Sequence, residues 1–315
     1  MKKTVILLAL AFSFSGIFAQ ELVSKKGEEF LPKKDDWAIS MCADPIFSFV
    51  GNMFNGNTGN GTPSASWMNG NQTIVAKKFM EDNQAYRVIV RLGFLNQTYK
   101  NLVDDYATTS IPTYTNPFPD PTPQVEDKYK LSNTNIGIGV GKEFRKGKNR
   151  LQGFYGADFM VWISSTKQSY TYGNVMSDTT IGATGVTIAP PSTIWSAGGT
   201  ALSEGAAVSR TLTNKSGMTL GVGVRGFIGA EYFIFPKIAI GAEYGWGLGF
   251  QSAGKGSQTT ETTSVINGKT TLGEVTTESA GSSSFGIDTD LNQGNVFGFK
   301  GSNTGTASLK VTLHF

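Results

Sequence analysis

Charged side chains at alternating positions are the residues of this sequence whose types and spacing are best suited to chemistry. Eight of them fall on the polar faces of predicted strands, and they are Arg87, Arg91, Glu143, Asp158, Arg225, Glu231, Glu243 and Lys310. Counting residues from the predicted turns places Asp158, Arg225, Glu243 and Lys310 in one layer with alternating signs, and Arg91 at a similar depth. Arg87, Glu143 and Glu231 form a predicted lower layer. Because an unpaired buried charge is costly, these groups are predicted to pair inside the fold.

Two readings of the charged face remain open at this point. In the first, the ion pairs form a closed interior that only stabilises the fold. In the second, the same residues line a narrow path for ions or a small solute.

Residues typical of catalysis are scarce. Cys42 and His314 are the only cysteine and the only histidine, so a metal site of clustered His and Cys is not expected. Cys42 is predicted to be an inert buried thiol. His314 is next to the last residue, Phe315, and in the membrane barrel predicted below this position is the periplasmic end, away from the outer rim where a Ser-His-Asp triad would be needed. The glycine runs at 137–141 and 245–249 lie within alternating strands and do not open helices, so they are not phosphate loops. No enzymatic activity and no cofactor are predicted, although a mechanism using only Asp and Glu stays open.

The amino-terminal residues are typical of a secretory signal peptide. Lys2 and Lys3 precede an apolar run, and small residues lead to an expected cut after Ala19, so the signal spans 1–19. The run is shorter than the ~20 residues that a spanning helix needs. Residues 20–36 are charged and unpatterned, and are predicted to be a solvated periplasmic segment. Loss of two lysines takes the net charge from +3 to +1 (+3 − 2), which is no signature of nucleic-acid binding.

Strands must position the charged residues, and eight stretches of the remaining chain alternate apolar and polar residues with a period of two. They lie at about 37–49, 72–80, 85–98, 129–144, 151–169, 218–234, 238–251 and 306–315. Short turns alternate with loops of about 20 to 50 residues, as in outer-membrane proteins. The predicted fold class is all-β. Residues 37–315 are expected to form an eight-stranded antiparallel up-and-down transmembrane β-barrel with short periplasmic turns and long extracellular loops.

The last predicted strand carries the strongest membrane pattern. Its apolar face consists of Ala307, Leu309, Val311, Leu313 and Phe315. Lipid is expected to cover this face, and the strand is the predicted signal for the barrel assembly machinery. An even number of strands puts both termini in the periplasm.

The signal ending in Phe-Ala-Gln20, the eight-strand layout and the terminal Phe315 resemble small outer-membrane barrels of the OmpA, OmpX and OmpW type from Bacteroidetes-like bacteria. The resemblance implies a location in the cell outer membrane, and it implies no reaction. A peptidoglycan-binding domain of the OmpA kind is not expected after the last strand.

Nearly half of the mature chain is predicted to be surface loop. Trp67, Trp195, Phe285 and the proline-rich run 112–123 are candidate contacts, since exposed aromatic rings and stiff segments bind at low ordering cost. The predicted function is a non-enzymatic barrel whose loops dock a host surface, an envelope component or a larger outer-membrane assembly. Three alternatives stay open: loops that only shield the cell, a porin-like channel, and a lipid-acting enzyme.

Overall fold

A computed structural model of the protein describes residues 23–24, 26–42, 74–105, 123–176, 190–196, 199–206, 209–266, 269–288 and 307–315. Every regular element in these ranges is a β-strand. Among these residues, no helix has the length and apolar character needed to cross a membrane.

The described ranges contain fourteen strands. They are β1 Trp37–Cys42, β2 Ile74–Glu81, β3 Gln84–Asp104, β4 Gln124–Lys146, β5 Leu151–Thr171, β6 Pro191–Trp195, β7 Ala201–Ala206, β8 Ser209–Lys215, β9 Thr219–Phe235, β10 Ile238–Ala253, β11 Gly256–Ile266, β12 Lys269–Ser279, β13 Ser282–Asp288 and β14 Ala307–His314.

Eight of these strands form a closed antiparallel ring. Its order is β1-β2-β3-β4-β5-β9-β10-β14, and β14 pairs again with β1. The prediction of an all-β antiparallel fold with eight paired strands is thereby confirmed. The ends of the ring differ. The lower end carries the short turns at 82–83, 147–150 and 236–237, and the upper end carries the longer connections.

The strands of the ring run obliquely to its axis. If paired residues are followed from strand to strand around the whole ring, the path that starts at Val161 on β5 ends at Leu151 on the same strand. The register offset of the closed ring is therefore ten residues (161 − 151). The path is Val161, Ile138, Val90, Ile74, Met41, Val311, Ile240, Tyr232 and Leu151. With a rise of ~3.3 Å per residue and a strand spacing of ~4.8 Å, this offset corresponds to a tilt of about 40°.

Side chains alternate strictly between the two faces of the ring. In β5, Phe154, Asp158 and Trp162 point inward and are at most 2% exposed, whereas Tyr155 and Phe159 point outward and are 45% and 48% exposed. The other ring strands follow the same period of two. The outward face is therefore apolar and the inward face holds the charges.

Strands also fill two regions that the sequence reading treated as loops. Residues 170–215 contain β6, β7 and β8, and residues 252–303 contain β11, β12 and β13. Above the ring, β8 pairs with β5 and extends the sheet through β11 to β12, while β13 pairs with β10. We call the part of the sheet above the ring, with the β6–β7 hairpin, the upper extension. The predicted long loops are thus largely ordered strands in the described ranges.

Residues 26–36 fold under the lower end of the ring. Phe30 is 4% exposed and packs against Phe233 and Ala239. The Arg150 guanidinium lies 3.8 Å from the centroid of the Phe30 ring. The charges of Lys33 and Glu29 stay in solvent, as expected for a solvated segment, but Phe30 anchors the segment as a cap that the sequence reading did not foresee.

Candidate functional site: an ion-paired interior

The interior of the ring holds a continuous cluster of charged side chains, which we call the ion-pair network. Seven of the eight ring strands supply it. Its members are all at most 7% exposed, and they are Lys77, Arg87, Glu143, Arg145, Asp158, Arg225, Glu231, Glu243 and Lys310.

Glu243 on β10 is the centre of the upper half of the network. Its carboxylate lies 2.7 Å from Lys310 Nζ, 2.8 Å from Arg225 and 3.1 Å from Arg87. Arg225 reaches Asp158 at 3.2 Å. The structure thus places Asp158, Arg225, Glu243 and Lys310 in consecutive contact across neighbouring strands.

Two carboxylates share two cations in the lower half. Lys77 Nζ lies 3.0 Å from Glu143 and 3.1 Å from Glu231. Arg145 Nε lies 2.8 Å from Glu143, and its guanidinium also pairs with Glu231. Arg87 joins the halves, since it lies 3.3 Å from Glu143 as well as beside Glu243. Arg87 is therefore a bridge between the layers instead of a member of the lower one.

Sequence reading missed two members of the network. Lys77 lies in the predicted strand at 72–80, where it shares the inward face with Val75 and Phe79. Arg145 was assigned to a turn, but β4 continues to Lys146 and carries the Arg145 side chain inward. Both residues could have been found by continuing the alternation along their strands, because inward positions recur at every second residue.

Aromatic rings pack between the charges. The Arg87 guanidinium lies 3.8 Å from the Phe227 ring centroid, and Lys77 Nζ lies 5.0 Å from that of Phe154. Gly141 makes room for Asp158, because a Cβ at Gly141 would lie 2.6 Å from the Ala157 carbonyl oxygen and closer still to the carboxylate. Charged and aromatic side chains together fill this part of the ring.

An apolar layer lies above the network. It consists of Val75, Ile89, Met160 and Trp162, all at most 4% exposed. Arg91 follows Ile89 on the same face of β3 and is 7% exposed. Any path along the axis would have to pass this layer as well as the ion pairs.

His314 lies at the lower end of the ring. Its ring packs between Phe79 at 5.6 Å and Phe233 at 5.1 Å, and Nε2 lies 3.9 Å from Glu231. The neighbouring Thr312 hydroxyl donates to Glu231 at 3.0 Å and lies 3.0 Å from the Ser40 hydroxyl. This hydroxyl pair connects β1 to the network.

The β6–β7 hairpin lies on the inward face of the upper extension. Asp127 on β4 is fully buried, and its carboxylate accepts hydrogen bonds from the backbone N–H of Thr193 at 2.7 Å and of Gly173 at 2.8 Å. The Trp195 ring stacks on Tyr129 at 5.8 Å. Trp195, a candidate loop contact from sequence, therefore packs inward.

Tyr172 and Arg210 form a second buried contact in the upper extension. The Tyr172 hydroxyl donates to the carbonyl oxygen of Thr211, and Arg210 pairs with Glu261 while lying over the Tyr172 ring. Burial raises the pKa of Tyr172 to about 12.

The remaining residues singled out from the sequence take different positions. Phe285 pairs with Phe250 and shares its outward face, at 65% exposure, so it belongs to the apolar surface of the sheet. Trp67 and the run 112–122 lie outside the described residues, as does the side chain of Cys42. On β14, Leu309, Leu313 and the following Phe315 are exposed on the outward side, and Val311 is partly exposed between them.

The ion-pair network is better suited to stabilising the ring than to acid–base catalysis. Each of its four carboxylates contacts at least two cations. A carboxylate held in this way is a poor general base. In the described part of the chain, no group of three or more His, Cys, Asp and Glu side chains is placed to hold a metal ion. Comparisons with protein-family models, curated proteins and solved structures found no match to this chain.

Proposed function

We propose that this chain is a non-enzymatic integral β-barrel of the cell outer membrane, with a lumen closed by the ion-pair network and an upper extension that docks a partner. The observation that carries the proposal is the closed eight-strand ring with its apolar side outward and its charges inward. A protein folded in water buries apolar side chains and exposes charges, so this ring has the distribution suited to lipid.

The outward apolar surface has the height that a membrane requires. On β5 it runs from Leu151 to Ile163, twelve residues apart (163 − 151). At a rise of ~3.3 Å and a tilt of about 40°, this interval spans about 30 Å, close to the ~25 Å apolar band of outer-membrane barrels. Large exposed apolar patches are rare on soluble monomers.

The size of the ring and its contents support the proposal of a closed lumen. Eight strands leave an interior just wide enough for side chains. The network, the aromatic rings and the apolar layer occupy it, and the Phe30 cap covers the lower end.

The first test of the proposal is insertion. The protein is expected to fold into lipid vesicles and to protect its ring strands from added protease, while the upper extension is cut. Complete digestion of vesicle-bound protein would refute the membrane location.

Conductance tests the closed lumen. Wild-type protein in a planar bilayer is expected to give no discrete openings, and Arg225→Ala serves as the comparison with a disrupted network. Clear, selective openings of the wild type would overturn the closed lumen. They would favour the second candidate, a narrow channel for ions or small solutes, for which the network's excess of five cations over four carboxylates predicts a preference for anions.

The upper extension is the part of the molecule proposed to dock a partner. Its regular pairing supports this role, since β11 and β12 pair along eleven consecutive positions. The expected partners are a protein at the cell surface or in the outer membrane, the surrounding lipid, and the barrel assembly machinery during insertion. Stoichiometric co-purification from solubilised outer membranes supports docking, and its loss on deleting β11 and β12 would locate the contact. Purification without any stoichiometric companion after cross-linking would count against it.

A further inference from the structure

Lysines interrupt the apolar outward face in one sector of the ring. Four outward residues form a cross-strand row in the order Trp37, Lys78, Tyr86 and Lys142, so that cations and aromatic rings alternate. Lys78 lies four residues before the turn at Asp82 (82 − 78), and Lys142 lies five before Gly147 (147 − 142). The row therefore runs near the lower edge of the apolar surface.

Aromatic rings hold both ammonium groups at this surface. Lys78 Nζ lies 5.1 Å from the Trp37 ring centroid. Lys142 Nζ lies 5.9 Å from that of Tyr86 and 5.0 Å from that of Phe144. Among the described residues, neither ammonium is paired with a carboxylate. Each carries three N–H donors, and contact with a ring face leaves them available to an anion.

Among the described residues, the outward lysines of the lower edge that have no carboxylate partner lie on one side of the ring, whereas Lys237, in the turn between β9 and β10, pairs with Asp36. Outward residues at the lower edge of β9, β10 and β14 include Ile228, Ile234, Ile238, Ile240 and Leu313, which are apolar. On β4, by contrast, Lys146 follows Lys142 on the same face and is exposed. General anchoring at a membrane interface would distribute such groups around the ring, so a one-sided cluster points to a particular ligand.

We propose that Lys78 and Lys142 bind the phosphate of an anionic phospholipid in the leaflet at the lower end of the ring. This inference rests on the proposed membrane location. The ammonium groups donate to the phosphate oxygens, and the Trp37, Tyr86 and Phe144 rings pack at the level of the lipid glycerol. The acyl chains lie along the apolar residues above the row, such as Val88 and Val140, which are 44% and 54% exposed. Long lysine stems suit this depth because they bury their methylenes and keep the charge at the headgroups.

The test is lipid retention by vesicle-inserted protein. Wild type is reconstituted in phosphatidylcholine vesicles with a minor fraction of phosphatidylglycerol, extracted in mild detergent, and its bound lipids are quantified by native mass spectrometry. Enrichment of phosphatidylglycerol over its vesicle fraction is expected. A lysine near an anionic lipid surface raises the affinity about fivefold, so the double variant Lys78→Gln with Lys142→Gln is expected to bind phosphatidylglycerol about 25-fold more weakly than the wild type.

A matched control removes the same charge elsewhere. Lys167 and Lys215 are exposed cross-strand partners in the upper extension, and replacing both by Gln is expected to leave the enrichment unchanged. The double variant Lys78→Arg with Lys142→Arg is expected to retain the enrichment of phosphatidylglycerol. Each single Gln variant is expected to reduce it about fivefold, which provides the test if the double Gln variant does not insert.

The outcomes separate this inference from the membrane proposal. Failure of the wild type to insert overturns both. Insertion without enrichment, or equal loss in the control pair, overturns only the lipid site. Displacement of the lipid by excess inorganic phosphate would reduce the site to a simple anion site and also overturn it.

Discussion

Replacing Glu243 by glutamine is expected to destabilise the ring more than any exposed charge change. The substitution keeps the size of the side chain and removes its charge. Arg87 and Arg225 retain Asp158 as a partner, at 3.5 Å and 3.2 Å. Lys310 does not, because among the described residues Glu243 is the only carboxylate it contacts.

The size of the effect follows from that asymmetry. Removing one partner of a buried ion pair costs about 3–5 kcal/mol, because the other charge stays buried without compensation. We expect a loss in this range instead of three times it, since two of the three cations remain paired. Lys310→Met in the Glu243→Gln background removes the stranded charge and is expected to restore at least about 1 kcal/mol.

Urea unfolding in lipid vesicles, followed by tryptophan fluorescence, measures these differences. Glu126→Gln is the control, because Glu126 pairs with Lys100 and Lys128 in solvent and its loss is expected to leave the midpoint unchanged. The reasoning is refuted if Glu243→Gln unfolds at the control midpoint, or if the double variant is no more stable than Glu243→Gln.

Three further predictions concern packing, ionisation and the β6–β7 hairpin. Gly141→Ala is expected to lower the yield of folded protein in vesicles, because its Cβ would lie 2.6 Å from the Ala157 carbonyl oxygen. Gly153→Ala is the control and should fold normally, since no atom lies nearer than 3.9 Å to its Cβ. Equal yields of the two variants would contradict this prediction. Tyr172 is expected to ionise near pH 12 in an ultraviolet titration. Because its pKa is raised in the folded state, its contribution to stability is complete below pH 10 and is lost between pH 10 and 12. Tyr172→Phe should remove this pH-dependent loss of stability. Asp127→Asn removes a charged acceptor from a backbone N–H, so amide exchange at Thr193 is expected to rise by about 10- to 100-fold, while unchanged exchange would show that the hairpin is held otherwise.

The inward charges were predictable because strand geometry leaves few choices. A period of two fixes which side Asp158, Arg225 and Glu243 face, and short turns fix their relative depth. These two constraints were enough to bring the three residues together before any contact was known.

Other features depended on information that alternation does not carry. Residues of β11 and β12 are rich in Thr and Ser, so no apolar face marks them as strands. Trp195 packs on Tyr129, which is 66 positions away in sequence (195 − 129), and no local pattern encodes such a contact. Phe285 looked like a loop residue because pairing of β13 with β10 could not be foreseen from its seven residues.

The join between β1 and β14 has a consequence for how the protein assembles. In this join Ala38 pairs with His314 and Cys42 pairs with Lys310. The contacting residues Ser40 and Thr312 are 272 positions apart, so chain entropy makes this contact the slowest to form. The hairpins from β2 to β5 can therefore pair early, and the ring closes only when the carboxyl-terminal strand β14 pairs with β1.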